Sequence, residues 1–253
     1  MAQVKDIITD IIKDQEKKEL INTSTWKKLT KYKGKCMICD KIFEFEAIPK
    51  DKWDIPKQYF CSDKCKQIYK EQIYQKRLQV MPIKFRAIKC DKTDLVKQGI
   101  NQSLFITGAS GVGKTVLMAG VAKELLKDKV NKVKWISYPG FIMELQSMFR
   151  KDGENTPFEL AESIATFSGT LCIDDMGAEK MTAFVQQITY YIINYREQEE
   201  LHTIITSNFG LLEISDQIDV RIASRIGGMC KIIRLTGKDR RLEKSKGGAI
   251  NEK

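Results

Sequence analysis

Short apolar runs alternate with stretches of helical periodicity through much of this chain. Leu104-Phe105-Ile106 suits a buried strand, and TVLMAGVAKELLKDK, from Thr115, carries apolar residues at helical spacing without proline. Val133–Ser137 predicts a second strand, and Pro139–Arg150 a helix with proline in its first turn. A helix over Phe158–Phe167 follows, then a strand over Leu171–Asp175. A long helix over Thr182–Glu200 leads into a strand over His202–Asn208. Such alternation predicts a parallel sheet with helices on both faces, whose ligands gather at the carboxyl ends of the strands.

The beginning of the chain is patterned differently. Val4, Ile7, Ile8, Ile11 and Ile12 fall on one face of an amphipathic helix with charges between them. Pro82 disfavours helix at Met81, so the domain boundary is placed there: residues 1–80, then 81–240, then a basic tail of 241–253 that composition predicts to be flexible.

Composition narrows the class. At 42% hydrophobic and 30% charged, the chain reads as soluble and core-forming. It has no apolar run of the roughly 20 residues a membrane span needs. Asp6, Asp10 and Asp14 interrupt any signal pattern, so a cytoplasmic protein with no membrane partner is expected. The net charge of +10 is uneven: residues 1–89 hold 21 Lys and Arg against 12 Asp and Glu, and residues 90–253 hold 22 against 21. That asymmetry fits an acidic partner such as nucleic acid, or an acidic protein face, and equally a lysine-rich solvated surface.

Two motifs carry chemistry. Gly108, Ala109, Ser110, Gly111, Val112, Gly113, Lys114 and Thr115 form G-x-x-x-x-G-K-[ST] between a predicted strand and helix. That context aims backbone N–H groups and a helix N-terminus at one anion. Lys114 would reach the β- and γ-phosphates, and Thr115 would ligate Mg²⁺. About 60 residues on, Asp174 and Asp175 end a buried strand, the first suited to hold Mg²⁺ through water and the second to polarise an attacking water. Asn208 ends the next strand, where it can orient water or cap a turn. His202, the lone histidine, lies at the outer end of that strand and makes a poor hydrolase base.

The second motif is Cys36-x-x-Cys39 with Cys61-x-x-x-Cys65, two close pairs that can bring four thiolates to one tetrahedral Zn²⁺. Gly34 suits a tight knuckle, and Ser62 or Asp63 can cap the helix that follows. A knuckle, a hairpin and a helix carrying the last ligand resemble a treble-clef module. Four thiolates leave no open position for water, so the zinc is read as structural. Near the other end, Arg221 and Arg225 stand four apart on one helical face, either an ordinary solvated pair or groups able to reach a neighbour's phosphate.

Taken together, GASGVGKT, YPGFIMEL after the second strand, LCIDDMGAEK, IITSNF and RIASRI resemble the AAA+ ATPases of the DnaC/DnaI-type replicative helicase loaders, a group that includes the IstB-like transposition ATPases. The segment from Pro82 to Phe85 is similar to the lead-in of those domains. The resemblance implies a five-stranded parallel P-loop sheet preceded by a small zinc-binding α+β domain. It implies Asp174 as metal organiser, Asp175 in the catalytic-acid position, Asn208 as sensor 1, and Arg225 as a finger acting in trans beside Arg221.

The chain departs from the wider AAA+ pattern in three places. Asp175 stands where many members have Glu, only about 20 residues separate Phe85 from the phosphate loop, and 28 residues follow Arg225, too few for a helical lid. That compactness suggests a phage or mobile-element source, and no residue is assigned as sensor 2.

The expectation is an ATPase with ATP, Mg²⁺ and Zn²⁺ as cofactors. It would assemble with itself on single-stranded DNA, bind a replicative DNA helicase through its zinc domain, and use ATP as an assembly switch. Tyr138, Arg150 and Lys151 flank the helix that the resemblance places near DNA, either with Tyr138 available to stack on a base or as an ordinary helix and its basic end. An IstB-like transposition helper, or a zinc-dependent DNA-binding adaptor with a nearly inactive ATP site, are the alternatives.

Overall fold

A computed structural model describes residues 29–48, 57–148, 156–177 and 182–240. The amphipathic helix expected over residues 4–12, Arg150 and Lys151, and the tail of 241–253 lie outside the described residues. The chain divides into two compact units between Ile73 and Tyr74.

In the first unit, β1 (Thr30–Lys35) pairs antiparallel with β2 (Ile42–Ala47), from Thr30↔Ala47 to Lys35↔Ile42. Alternation puts Tyr32, Phe43 and Phe45 on one face, with ring centroids 5.7 Å (Tyr32–Phe45) and 5.9 Å (Phe43–Phe45) apart. Helix α1 (Asp63–Arg77), which continues past the division at Ile73, starts where Ser62 Oγ accepts the Cys65 N–H at 3.3 Å, a capping bond.

The second unit carries short α2 (Ile83–Arg86), α3 (Thr93–Asn101), β3 (Leu104–Thr107), α4 (Lys114–Lys127), β4 (Val133–Ser137), α5 (Tyr138–Met148), α6 (Pro157–Ala165), β5 (Thr170–Met176), α7 (Ala183–Gln198), β6 (Thr203–Ser207), α8 (Leu211–Gln217), α9 (Val220–Met229) and β7 (Lys231–Arg234). The strands form one parallel sheet in the order β4-β5-β6-β3-β7. Leu104, Ile106, Cys172 and Ile204 pack towards Leu117, Met118, Val121 and Leu125 of α4. Phe105, Ile173 and Ile205 face the opposite way, into a core with Leu145, Ile164, Ile192 and Ile222. Both faces are therefore apolar, which is why the strands read as continuous hydrophobic runs.

β7 was not located by pattern. It is an edge strand with only Ile233 buried, so KIIR lacks the signature of a central strand. The helical stretch after Asn208 is two helices, broken at Ile218 and restarted by Asp219, whose carboxylate accepts the Arg221 N–H at 2.6 Å.

Arg196 holds the end of the sheet opposite the strand C-termini. It is 0% exposed, and its guanidinium donates to Thr203 Oγ1 (2.8 Å) and to the carbonyls of Ala165 (3.2 Å), Phe167 (2.9 Å), Gly169 (3.1 Å) and His202 (2.8 Å). Burial depresses its pKa to about 10, still well into the charged range at neutral pH. It satisfies carbonyls left over at the end of α6, where a cation is favoured. Arg196→Met should cost roughly 3–5 kcal/mol in urea unfolding, because several buried carbonyls lose their donors together.

Candidate functional site

The 108–113 loop joins β3 to α4, with Gly108, Gly111 and Gly113 at φ of 146°, 76° and 101°. Space also requires glycine at Gly108, where a Cβ would stand 2.2 Å from the backbone Leu235 O; at Gly111 it would meet only the end of the Asp239 side chain, which can turn away. Val112 is buried and anchors the loop in the core. Lys114, at the first position of α4, is buried, and its Nζ donates to Gly108 O (2.7 Å), Ala109 O (2.9 Å) and Asn208 Oδ1 (2.7 Å). Asn208 thus faces the lysine. Ser110, Gly111, Gly113, Thr115, Asp175 and Asn208 line one cleft with Lys114.

Thr115 Oγ1 donates to Asp174 Oδ1 at 2.9 Å, and Thr206 Oγ1 donates to the same oxygen at 2.7 Å. Thr206 Oγ1 also accepts the Asp175 N–H at 2.9 Å. The β5–β6 register slips between Ile173 and Met176, leaving both aspartates opposite Thr206. Asp175 sits at φ 58°, left-handed geometry that asparagine and aspartate tolerate better than other L residues. Burial raises the Asp174 pKa, Asp175 adds to the rise, and Thr206, Thr115 and Lys114 oppose it. A hydroxyl and a carboxylate converging this way suit a hard divalent cation.

The cleft has a volume of about 520 Å³, and its rim is built from segments far apart in sequence: Lys84, Phe85, Ile88, Lys89 and Arg240. Phe85 stacks on Trp135 with centroids 5.8 Å apart, so the short Pro82–Lys89 segment does supply an apolar wall. Sequence reasoning missed Thr206, Ile88 and Arg240. Thr206 reads as an ordinary strand threonine, and Arg240 follows a strand that pattern did not detect.

Arg221 and Arg225 do not line this cleft. Both guanidiniums lie over Tyr190, 4.7 and 4.8 Å from the ring centroid. Arg225 Nε donates to Asn194 Oδ1 (2.7 Å) and lies 3.8 Å from Glu197, while Arg221 pairs with Asp219 at 2.8 Å. The Arg221 hydrogen bond holds Asp219 down to about 2. His202, half-buried and bonded to Thr170 Oγ1 at 2.7 Å, lies at the other end of β6 from Asn208. Tyr138 corrects an expectation: it is 2% exposed and shares a 2.7 Å hydrogen bond with Thr189, so it is a core residue with no face for a base.

The cysteines converge too. The sulfurs of Cys36, Cys39, Cys61 and Cys65 all lie within 4.8 Å of one another, with Cys39–Cys61 at 3.5 Å, Cys61–Cys65 at 3.7 Å and Cys39–Cys65 at 3.8 Å. Ligands about 2.3 Å from a tetrahedral Zn²⁺ would be roughly 3.8 Å apart, so the set fits that ion. The first pair spans the β1–β2 turn, where Cys36 N–H bonds Lys41 O (2.9 Å) and Asp40 N–H bonds Cys36 O (3.1 Å). Asp40, at φ 57°, makes the turn. Gly34 instead lies in β1, where a Cβ would come within 3.0 Å of Gln58 O. Burial acts to raise the Cys36 pKa, but hydrogen bonds from Cys61, Cys39 and Ile38 outweigh it and bring the thiol down to about 6. Hydrogen bonding to Cys39, with burial second, pushes Cys61 up to about 12.

Residues 90–231, more than half the sequence, match the bacterial DnaA ATPase domain. The chain belongs to that family. Its nucleotide and Mg²⁺ chemistry is therefore that of an AAA+ ATPase domain. The chain is also 28% identical over 166 residues to the replicative helicase loader DnaI of Bacillus subtilis (strain 168), covering 59% of this chain and about half, 52%, of that relative's length. Among solved structures, DnaI superposes with a TM-score of 0.52 at 24% identity, over 64% of this chain and 94% of that one. A putative primosome component from Streptococcus pyogenes serotype M3 gives 0.51 at 21%, over 64% and 92%. These likenesses show the P-loop AAA+ fold. Among the described residues, no helix of this ATPase is long and apolar enough to cross a membrane.

The left-handed residue of the site gives a stability test. Asp175→Gly should raise unfolding free energy by about 1 kcal/mol, read from the denaturant midpoint, because glycine adopts that φ freely. A drop in stability would mean that the carboxylate is held by more than the backbone.

Proposed function

We propose that the chain is an ATP-dependent loader of a replicative DNA helicase, built from a zinc-stabilised partner-binding domain (1–80) and an AAA+ ATPase domain (81–240), with 241–253 as a basic tail. The observation that carries the ATPase half is the bond network joining Lys114 to Asn208 and Thr115 to Asp174, three strand ends meeting at one phosphate loop. The loader half rests on similarity to DnaI and on the four-cysteine cluster ahead of the ATPase domain.

In this reading the loop N–H groups and Lys114 hold the phosphates, and Thr115 with Asp174 would hold Mg²⁺, which supplies charge neutralisation there. Thr206 fixes Asp174 with one face of its hydroxyl and the Asp175 N–H with the other. Asp175 orients the attacking water, and Asn208 links the terminal phosphate to Lys114. Arg225, outside its own cleft, completes a neighbour's site when copies assemble on single-stranded DNA, with Arg221 beside it. Hydrolysis then depends on assembly, and ATP acts as a switch for holding and releasing the helicase. The four cysteines hold Zn²⁺ as a structural ion.

Two outcomes test this. Arg225→Ala should reduce DNA-stimulated ATPase activity by 10³-fold or more while nucleotide affinity of the isolated chain is unchanged; lost affinity would sink the trans assignment. The intact chain, used as bait in host lysate, should retain the replicative helicase and lose it in Cys36→Ser, alongside loss of one zinc per chain by metal analysis. Recovery of a transposase, or of nucleic acid alone, would move the protein to the transposition-helper or adaptor reading.

A further inference from the structure

Helices α3 and α4 border a second cavity beside the nucleotide cleft, with a volume of about 460 Å³. Thr93, Val96, Lys97 and Ile100 line it from α3, and Gly120, Lys123, Glu124 and Lys127 from α4. Each set falls at i, i+3, i+4, i+7, a spacing that ordinarily gives an apolar face packed against a neighbour. The α4 face instead holds a glycine and three charged residues. The apolar lining therefore comes from Val96, Ile100 and Cys90, with Tyr74 adding an aromatic side chain. Cys90 is seated directly on α4: a Cβ at Gly120 would stand 2.7 Å from its Cβ and 3.2 Å from its sulfur.

The cavity is cationic. Lys89, Lys97, Lys123 and Lys127 line it against a single carboxylate, Glu124. That carboxylate is already taken, by Lys127 Nζ at 2.6 Å, and Lys123 Nζ donates to Ile88 O at 2.8 Å. Lys89 and Lys97 are exposed and, among the described residues, make no ion pair. Lysine stems lie along apolar surface while their ammonium groups stay in water. An apolar lining with such a rim suits a molecule divided the same way. The volume lies in the range of small-molecule sites. A polynucleotide backbone would use the lysines and leave the apolar lining idle.

We propose that this cavity binds a small amphipathic anion, an aromatic body carrying one or two acidic groups, and that its occupancy lowers nucleotide affinity in the neighbouring cleft. Ile88 and Lys89 line both spaces. An acidic group at the rim and a phosphate chain in the cleft compete for the Lys89 ammonium, so the coupling is negative. The ligand site stands without any reading of the cleft, whereas the coupling rests on reading the cleft as the ATP site.

The test uses the full chain with anilinonaphthalene sulfonate as probe, after saturation with MgADP to keep the probe out of the cleft. Phenylnaphthylamine, the same ring body without the sulfonate, is the control. Bound probe should slow alkylation of Cys90 by iodoacetamide, read at that residue by peptide mass spectrometry, and the uncharged control should protect far less. Lys97→Glu should weaken the probe roughly fivefold or more at unchanged Tm, as expected for reversing one exposed charge. Without preloading, the probe should raise the MgADP dissociation constant to a plateau of about fivefold, and MgADP should act equally on the probe. Lys89→Gln should remove that effect. Equal protection by both compounds, or by neither, overturns the anion site. Protection by oligothymidylate alone also overturns it and makes the lysines a polynucleotide track. No change in MgADP affinity, or a rise without a plateau, overturns the coupling. If MgADP does not bind at all, the ATP reading fails, while protection of Cys90 still decides what the cavity holds.

Discussion

The candidate site depends on one insertion: β6 lies between β3 and β5, hydrogen-bonded in parallel to both. Without it, the phosphate loop at the end of β3 and the aspartates at the end of β5 would be separate features. With it, Thr206 reaches both aspartates and Asn208 reaches Lys114. The end of β6 is itself fastened on both sides. Ser207 Oγ donates to Met176 O, and Thr107 Oγ1 donates to Phe209 O, each at 2.7 Å. Lys114, Asp174 and Asp175 are therefore held by a neighbouring strand end, and Lys114 by the Gly108 and Ala109 carbonyls of its own loop as well.

The two ends of the sheet are built on opposite principles. At the N-terminal ends, Arg196 closes the carbonyls of three segments and removes polar groups from the account. At the C-terminal ends, polar groups are brought together beside a left-handed Asp175 and a register slip, and Asp174 is half-buried where its charged form is disfavoured. A strained, charged cluster can persist when the surrounding packing over-determines it. Here the apolar layers on both faces of the sheet, and the rigid closure at its far end, supply that determination.

Much of this was legible in the sequence, for identifiable reasons. The phosphate loop is a local motif, since glycines at fixed spacing are needed for loop conformation and close approach. The buried strands are legible because both faces of the sheet are covered, making them uninterrupted apolar runs. The cysteine pairs are legible because their spacing encodes proximity. What could not be read was contact between distant segments. Thr206 acts through a slip in strand register, which no local pattern announces. Phe85 and Ile88 meet the loop only because the short lead-in folds onto it. For Tyr138 the resemblance offered a base platform and the pattern an ordinary helix residue; the second holds, its hydroxyl meeting Thr189 inside the core, as buried tyrosines generally find a partner.

Helix α7 connects what the sequence presents as unrelated. Gln186 Nε2 donates to Ile218 O and to Asp219, fixing the start of α9. One turn on, Tyr190 lies beneath both arginines, and Asn194 accepts from Arg225. Arg196 then pins the end of the same helix ahead of β6, the strand that delivers Asn208 to the cleft. These bonds are satisfied together in a single arrangement. If Arg225 serves a neighbouring subunit, it is offered already oriented, held over a ring and by one acceptor. Little side-chain freedom then remains to be lost on assembly. Such a surface would complete a partner's site by docking, with the arginine already held in place by α7.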